Sequence, residues 1–327
     1  MTVEKVFLAD GRVRPSWRFL LSVPLVFLAL YVADTTASFI ASPEDMGGWG
    51  RVIWSTLLLL PALLAVFKLL TAAFDRKPLG SVGLAFCGSW RMELGLGLGI
   101  GSLMILAVGA AESVLGVARF SFGQLSPGPF LGWGGTTLVL LFVAATNEEL
   151  MFRGYPFQRL AESMGAPGAV AVFSVLFGLV HLGNPNHSVV STLNTMLIGV
   201  PLAIAYLRTR ALWMPVGAHF AWNFLQGFGL GLPISGFSVP LSVLHPQVSG
   251  NILLTGGRYG PEASILTTIV IIAATGYLWR AKSIYVSEET RALVFGPSRT
   301  ESGAPEIVVQ LNTSITTADS ERPDRIR

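Results

Sequence analysis

Glu148, Glu149 and Arg153 close an apolar stretch that carries no other charge from Arg119 onward. On a helix, Glu149 and Arg153 are i, i+4 with the acid N-terminal, the favourable order for an ion pair. Glu148 is rotated by about 100° from Glu149, and the next turn offers it no basic partner. Spacing alone divides the two carboxylates. Glu149 is the structural partner of Arg153, and Glu148 is left to accept a proton or a metal. A helix end emerging into water with solvated charges would show the same residues, so the pair needs company before it means chemistry.

Company is present. Phe177-Gly178-Leu179-Val180-His181 puts a histidine at the end of a later apolar helix, and His219-Phe220-Ala221-Trp222-Asn223 puts a histidine and an asparagine on one face of another. A lone buried histidine is usually a satisfied core residue. Two of them with an asparagine and two glutamates, where charge is scarce, point to a site. Amide hydrolysis needs a base for water, and a carboxylate in a low-dielectric pocket suits that task. It also needs donors where the oxyanion develops, which histidine and asparagine supply. Zinc is the alternative use of the same atoms, since Glu148, His181 and His219 give three ligands and an open position for water. H-E-x-x-H, G-x-S-x-G and G-x-G-D are all missing from the chain. Cys87 is the single cysteine, which excludes an internal disulfide and a Cys-rich metal site.

These residues need helices to hold them, and composition says where those helices run. Of 327 residues, 52% are hydrophobic and only 13% charged, and the mean hydropathy is +0.61. A soluble domain carries about 25% charge, so this chain cannot clothe one soluble core in polar surface. A net charge of +3 with no basic stripe excludes a nucleic-acid-binding domain. Leu94-Gly95-Leu96-Gly97-Leu98-Gly99-Ile100-Gly101 has no P-loop lysine and lies in an apolar span, so it predicts close helix packing and not nucleotide binding. The expectation is an all-α polytopic membrane protein.

A bilayer core needs about 20 apolar residues per helix. Trp17–Phe39, Val52–Phe74, Leu94–Ala111, a stretch from about Trp133 to Glu148, two helices within Ser163–Leu207 split at Gly183-Asn184-Pro185-Asn186, a helix after Ala211 stopped near Gly229, and Ala263–Trp279 make eight spans. The first is expected to be a retained anchor, since its apolar run is long for a signal peptide and no clean cleavage site follows. The layout is a short segment 1–15, a membrane domain 16–283, and a disordered tail 299–327. The segment from Gly229 to about residue 262 is expected to be a long loop or re-entrant piece. With eight spans both ends share a side, and that side receives 13 Lys/Arg against 3 on the other. The positive-inside bias therefore puts both termini in the cytoplasm. Seven of the eight tryptophans fall at or near span ends, as an interfacial belt would, and Trp222 is the exception. If the Glu148 helix runs on to Ser163, then Glu148 and His181 stand at similar depths on antiparallel neighbours, with His219 able to reach them.

The three blocks, in this order and on these helices, resemble the CAAX prenyl protease and bacteriocin-processing (CPBP or Abi) family of intramembrane proteases. Its pattern is E-E-x-x-x-R, F-x-x-x-H and H-x-x-x-N, matched here by Glu148-Glu149…Arg153, Phe177…His181 and His219…Asn223 within a core at about 131–230. The resemblance implies an eight-helix membrane fold and hydrolysis of peptide bonds in or at the bilayer. It implies that Glu148 and His181 activate water and that His219 and Asn223 stabilise the oxyanion. The family carries a metalloprotease label, so zinc on Glu148, His181 and His219 stays open. The expected partner is a peptide or membrane-protein substrate, of prenylated type where the host makes such proteins, with no nucleic acid and no nucleotide. The expected location is a bacterial plasma membrane, with the site opening towards the cytoplasm. The alternative is a non-proteolytic scaffold, immunity protein or transporter that uses the same polar pocket.

Overall fold

The computed structural model describes residues 7–9, 11–42, 49–123 and 126–295. The expected disordered tail 299–327 and residues 1–6 of the N-terminal segment lie outside the described residues. The apolar stretches form helices: α1 Pro15–Ile40, α2 Gly50–Leu70 with a π-helical end to Asp75, α3 Trp90–Val114, α4 Pro127–Arg153, α5 Tyr155–Met164, α6 Ala166–Val180, α7 Val189–Thr209, α8 Trp213–Phe224 with a π-helical end to Gly229, α9 Ile265–Arg280 and α10 Glu288–Phe295. Two small antiparallel ribbons accompany them. One joins β1 Leu8–Ala9 to β2 Arg12–Val13, and the other joins β3 Ala118–Phe122 to β4 Leu244–Val248. The protein is an all-α polytopic membrane protein. Among the described residues six helical runs are long and apolar enough to cross a bilayer, with α4 and α5 counted as one; α9 is apolar but shorter. The π-extended α8 is also short, so the count of eight crossings stays an expectation.

Polar ties mark the two ends of the bundle. At one end Asp75 receives Arg18 and Arg159, the latter at 2.7 Å, and Arg159 also meets Glu162 at 2.8 Å. At the same end Leu212 N–H donates to Gly83 O at 2.8 Å. Arg208, at the foot of α7, donates to the carbonyls of Leu278, Trp279, Ala281 and Ile284. Those carbonyls have no further helical turn to accept from. At the opposite end lie the Asp34–Arg51 pair and the β3–β4 ribbon. These are the two sets of loops that alternating crossings demand.

The Leu-Gly run does what packing requires. The most extensive helix contact is α3 with α8. A Cβ at Gly97 would lie 2.1 Å from Met214 O, and one at Gly101 would lie 2.1 Å from Ala218 O, while Gly95 and Gly99 meet nothing. Only the glycines on one face are needed, and they bring the backbone of α8 against α3. His219 is the next residue after Ala218, so this approach sets where it stands.

One expectation needs correction. The Glu148 helix does not run unbroken to Ser163. It ends at Arg153, turns through Gly154 (ψ −138°) and restarts as α5 with a proline in its first turn. A Cβ at Gly154 would lie 2.3 Å from Leu150 O, and Pro156 has no N–H to continue the ladder. The bend lets α5 bury Tyr155, Phe157 and Arg159 in the core instead of carrying them into solvent.

Candidate active site

Glu149 and Arg153 form the expected i, i+4 pair at 3.1 Å, with side chains 0% and 1% exposed. Arg153 also donates to Gly199 O on α7 at 3.2 Å. Its guanidinium lies 4.7 Å from the centre of the Phe177 ring. Gly199 allows this because α6 and α7 touch there: a Cβ would fall 2.8 Å from Ser174 Cα. A buried charge needs such company, since stripping one partner from a buried pair costs about 3–5 kcal/mol.

Glu149 does more than the spacing suggests. Its Oε1 also accepts from His219 Nδ1 at 2.9 Å, across 70 residues of sequence. A carboxylate oxygen only accepts, so Nδ1 carries the proton. The other ring nitrogen, Nε2, is 3.8 Å from Glu148 Oε2. That is too long for a hydrogen bond, and Glu148 Oε2 is buried with no hydrogen-bond partner. Glu149 thus has one oxygen, Oε1, bonded twice and lies off the cavity, while Glu148 lines the cavity with an open oxygen beside an imidazole.

His181 follows the last turn of α6, and its Nδ1 faces Phe177 O at 2.6 Å. A carbonyl accepts, so Nδ1 carries a proton, and Nε2 is the nitrogen left to face the cavity chemistry. Phe177 packs edge-on against both histidines, with centroids 4.9 Å from His181 and 6.1 Å from His219. The phenylalanine of the second block is thus the spacer between the two rings and the platform for Arg153. Glu148, His181, His219 and Asn223 all line one cavity of about 580 Å3, a size at which pockets take small molecules or a short stretch of peptide. Trp222, the tryptophan outside the expected belt, lines it too.

Zinc would need three donors. Among the described residues, no three His, Cys, Asp or Glu side chains come together as a metal-holding set. Glu148 and His219 approach each other, but His181 does not complete a triad with them. The side chains as placed do not fit that metal, and no step below passes through one.

Sequence reasoning missed two groups. Asn147 donates to Thr56 O at 2.8 Å and ties the Glu148 turn to α2; an asparagine beside two glutamates in an apolar helix was its signal. Glu262 and Ser235, from the loop after α8, line the same cavity as the catalytic candidates. The signal for Glu262 was a single acid between charge-free stretches. His187 and His245 are exposed and lie outside the cavity lining.

Residues 131–225 match the family described as Type II CAAX prenyl endopeptidase, Rce1-like. The likeness to that family covers 95 of the 327 residues. The matched segment contains all three motif blocks. The chain is also similar to two Bacillus subtilis (strain 168) proteins. It is 33% identical to the putative membrane peptidase YdiL over 86 residues, which is 26% of this chain and 33% of that one. It is 24% identical to the uncharacterized protein YyaK over 139 residues, 41% of this chain and 46% of that one. The matches span less than half the length of either relative. No solved structure matches the chain. The matched segment runs from within α4 to the end of α8 and includes Glu148, His181, His219 and Asn223, while Glu262 lies beyond it.

Proposed function

We propose that this protein is an intramembrane endopeptidase acting on membrane-associated or prenylated-type substrates. The observation that carries the reading is the open Glu148 oxygen facing the His219 ring in a cavity shared with His181 and Asn223. Glu148, with His181 Nε2 as a second acceptor, takes a proton from water as that water attacks the peptide carbonyl. Asn223 and His219 donate to the oxyanion. The amine leaves with the proton that Glu148 or His181 has held. A positioned base contributes about 10²–10⁴-fold and one oxyanion donor about 10²–10³-fold.

The geometry refines the part played by His219. Glu149 occupies Nδ1–H, so a neutral ring presents only a lone pair at Nε2. To donate from Nε2 the ring must be an imidazolium, which Glu149 and Glu148 flank on either side. In this reading the histidine that donates to the oxyanion is charged. Glu149 then has two partners, Arg153 and His219, and orients the donor as well as pairing the arginine.

The end of the bundle that carries Arg18, Arg159 and Arg208 faces the cytoplasm in this proposal, with both termini on that side and the site opening towards it, in a bacterial plasma membrane. Reporters fused after Lys77, Arg210 and Lys282 should all read cytoplasmic and one after Arg258 should not; an external signal at Lys282 would remove the eight-span topology. The activity is tested by comparing membrane peptides from cells making the wild type or Glu148→Gln. New termini that depend on Glu148 support the endopeptidase. Full biological activity of Glu148→Gln would point to a non-proteolytic scaffold, immunity or transport role.

A further inference from the structure

The loop between α8 and α9 packs over the cavity. Pro185, just beyond His181, meets it closely enough that a Cβ at Gly236 would lie 2.1 Å from Pro185 O. Ile234, Ser235, Phe237 and Glu262 from this loop all line the cavity. Ser235 donates to the Glu262 carboxylate from its backbone N–H at 2.9 and 3.1 Å and from Oγ at 3.1 Å, and the Gln226 side chain stands beside it as a further partner. Ser235 sits at φ +46°, a strained conformation for a residue with a side chain. The base of the turn is fixed from α7, where Asn194 Nδ2 donates to the carbonyls of Glu262 and Ser264, both at 2.8 Å, and its Oδ1 accepts from Thr268 at 2.7 Å.

These bonds explain why an acceptor stands at position 262 but not why it is a carboxylate. A glutamine oxygen would accept from Ser235 equally well. Glu262 forms no ion pair among the described residues, and no lysine or arginine lines the cavity. What faces it is uncharged (Ser235 and Gln226), with the Tyr259 hydroxyl as its titratable neighbour. Burial pushes its carboxyl up to about 7, the cost expected for a carboxylate that the protein does not neutralise. The cavity therefore presents two carboxylates, Glu148 and Glu262, to whatever enters it, and among its described lining residues the only possible cations are the two histidines.

We propose that Glu262, braced by Ser235, is a specificity subsite that receives the cationic side chain of a lysine or arginine in the substrate, at a distance along the chain from the bond that Glu148 attacks. The proposal rests on the endopeptidase reading for its substrate, but its test does not depend on cleavage.

The test uses the full-length protein in liposomes and a set of single-span peptides that differ only in one lysine, replaced by glutamine, moved stepwise through the end of the apolar segment. Binding is read by the fluorescence of the protein's tryptophans, with Trp49, Trp133 and Trp222 in the cavity wall, and cleavage by mass spectrometry. At one position the lysine peptide should bind roughly tenfold more tightly than its glutamine twin, as a desolvated charge pair allows. Glu262→Gln, which keeps the acceptor, should reduce that ratio to near one. Ser235→Ala, which removes a brace and keeps the charge, should retain it, and this separates charge recognition from a merely structural role. The proposal is overturned if no lysine position is preferred, or if folded Glu262→Gln keeps the preference. If the wild type shows the preference in binding and Glu262→Gln loses it, yet no peptide is cleaved, the subsite stands and the endopeptidase reading falls.

Discussion

Two clusters of charge lie in the same bundle and are built differently. In the Arg18–Asp75–Arg159–Glu162 cluster every charged group has an oppositely charged neighbour, and none of the four lines the cavity. In the Glu148–Glu149–Arg153–His219 cluster Glu149 Oε1 is bonded twice, to Arg153 and His219, while a Glu148 oxygen stands with no hydrogen bond at the cavity edge. An unbonded oxygen alone does not separate the two clusters, since Asp75 Oδ2 and Glu149 Oε2 are also buried without a hydrogen bond. The difference is that Asp75 sits between two arginines away from the cavity, whereas Glu148 has no arginine or lysine partner among the described residues and lines it. An open valence beside a cavity is the feature that separates a site from a staple, and charge density alone does not show it.

The strongest effect tests that contrast directly. Glu148→Gln should lower cleavage by about 10³-fold, within the range for loss of a positioned base, with yield and melting behaviour close to wild type. Asp75→Asn should do the reverse, lowering the melting temperature in detergent while the folded fraction keeps its turnover. If Asp75→Asn protein folds and is inactive, or Glu148→Gln fails to fold, the distinction between the two clusters is wrong.

Next in size is Arg153→Ala, which leaves Glu149 with His219 as its one charged partner and should cost about 3 kcal/mol of stability, read as lost folded yield. Glu149→Gln/Arg153→Met removes both charges and should recover yield. It should still lose about 10²-fold in activity, because the carboxylate that orients His219 is gone. Recovery of both yield and activity would return Glu149 to a purely structural role.

Metal analysis sharpens the same cluster. Detergent-purified wild type should hold well under one zinc per chain, with His219→Ala equally low. One zinc per chain, lost in His219→Ala and restoring activity when added back to apo wild type, would make this a zinc peptidase instead.

The mildest effect concerns how α8 is placed. Gly101→Ala should destabilise by about 1–3 kcal/mol and lower turnover, since the new Cβ would meet Ala218 O. Gly99→Ala, with nothing in its way, should be neutral or slightly stabilising. Equal effects from the two would mean that the α3–α8 contact does not set the position of His219.

Much of this architecture is legible in the chain alone. Apolar length and charge scarcity locate the helices of the bundle within a few residues of their ends, because helix period and bilayer thickness are local constraints. The Glu149–Arg153 pair is legible for the same reason, as i, i+4 spacing on one helix fixes it. The interruption at Gly154 is not, although Gly154 and Pro156 are both helix breakers. Apolar periodicity continues through them, and only the packing of Tyr155 and Phe157 into the core decides that the chain bends there.

The order of residues dictates which side-chain types share the membrane's interior, and it marks Glu148, His181, His219 and Asn223 as the candidates for chemistry. It leaves open which glutamate His219 binds, because that depends on the rotation and depth of α8 against α4, set by backbone contact at Gly97 and Gly101 on a third helix. Nor does it bring Glu262 to the cavity of Glu148, more than 100 residues earlier in the chain. Periodicity fixes the face a side chain occupies on its own helix. Which faces meet, and which oxygen is left open when they do, depends on close packing between elements distant in sequence, and that is a property of the tertiary structure alone.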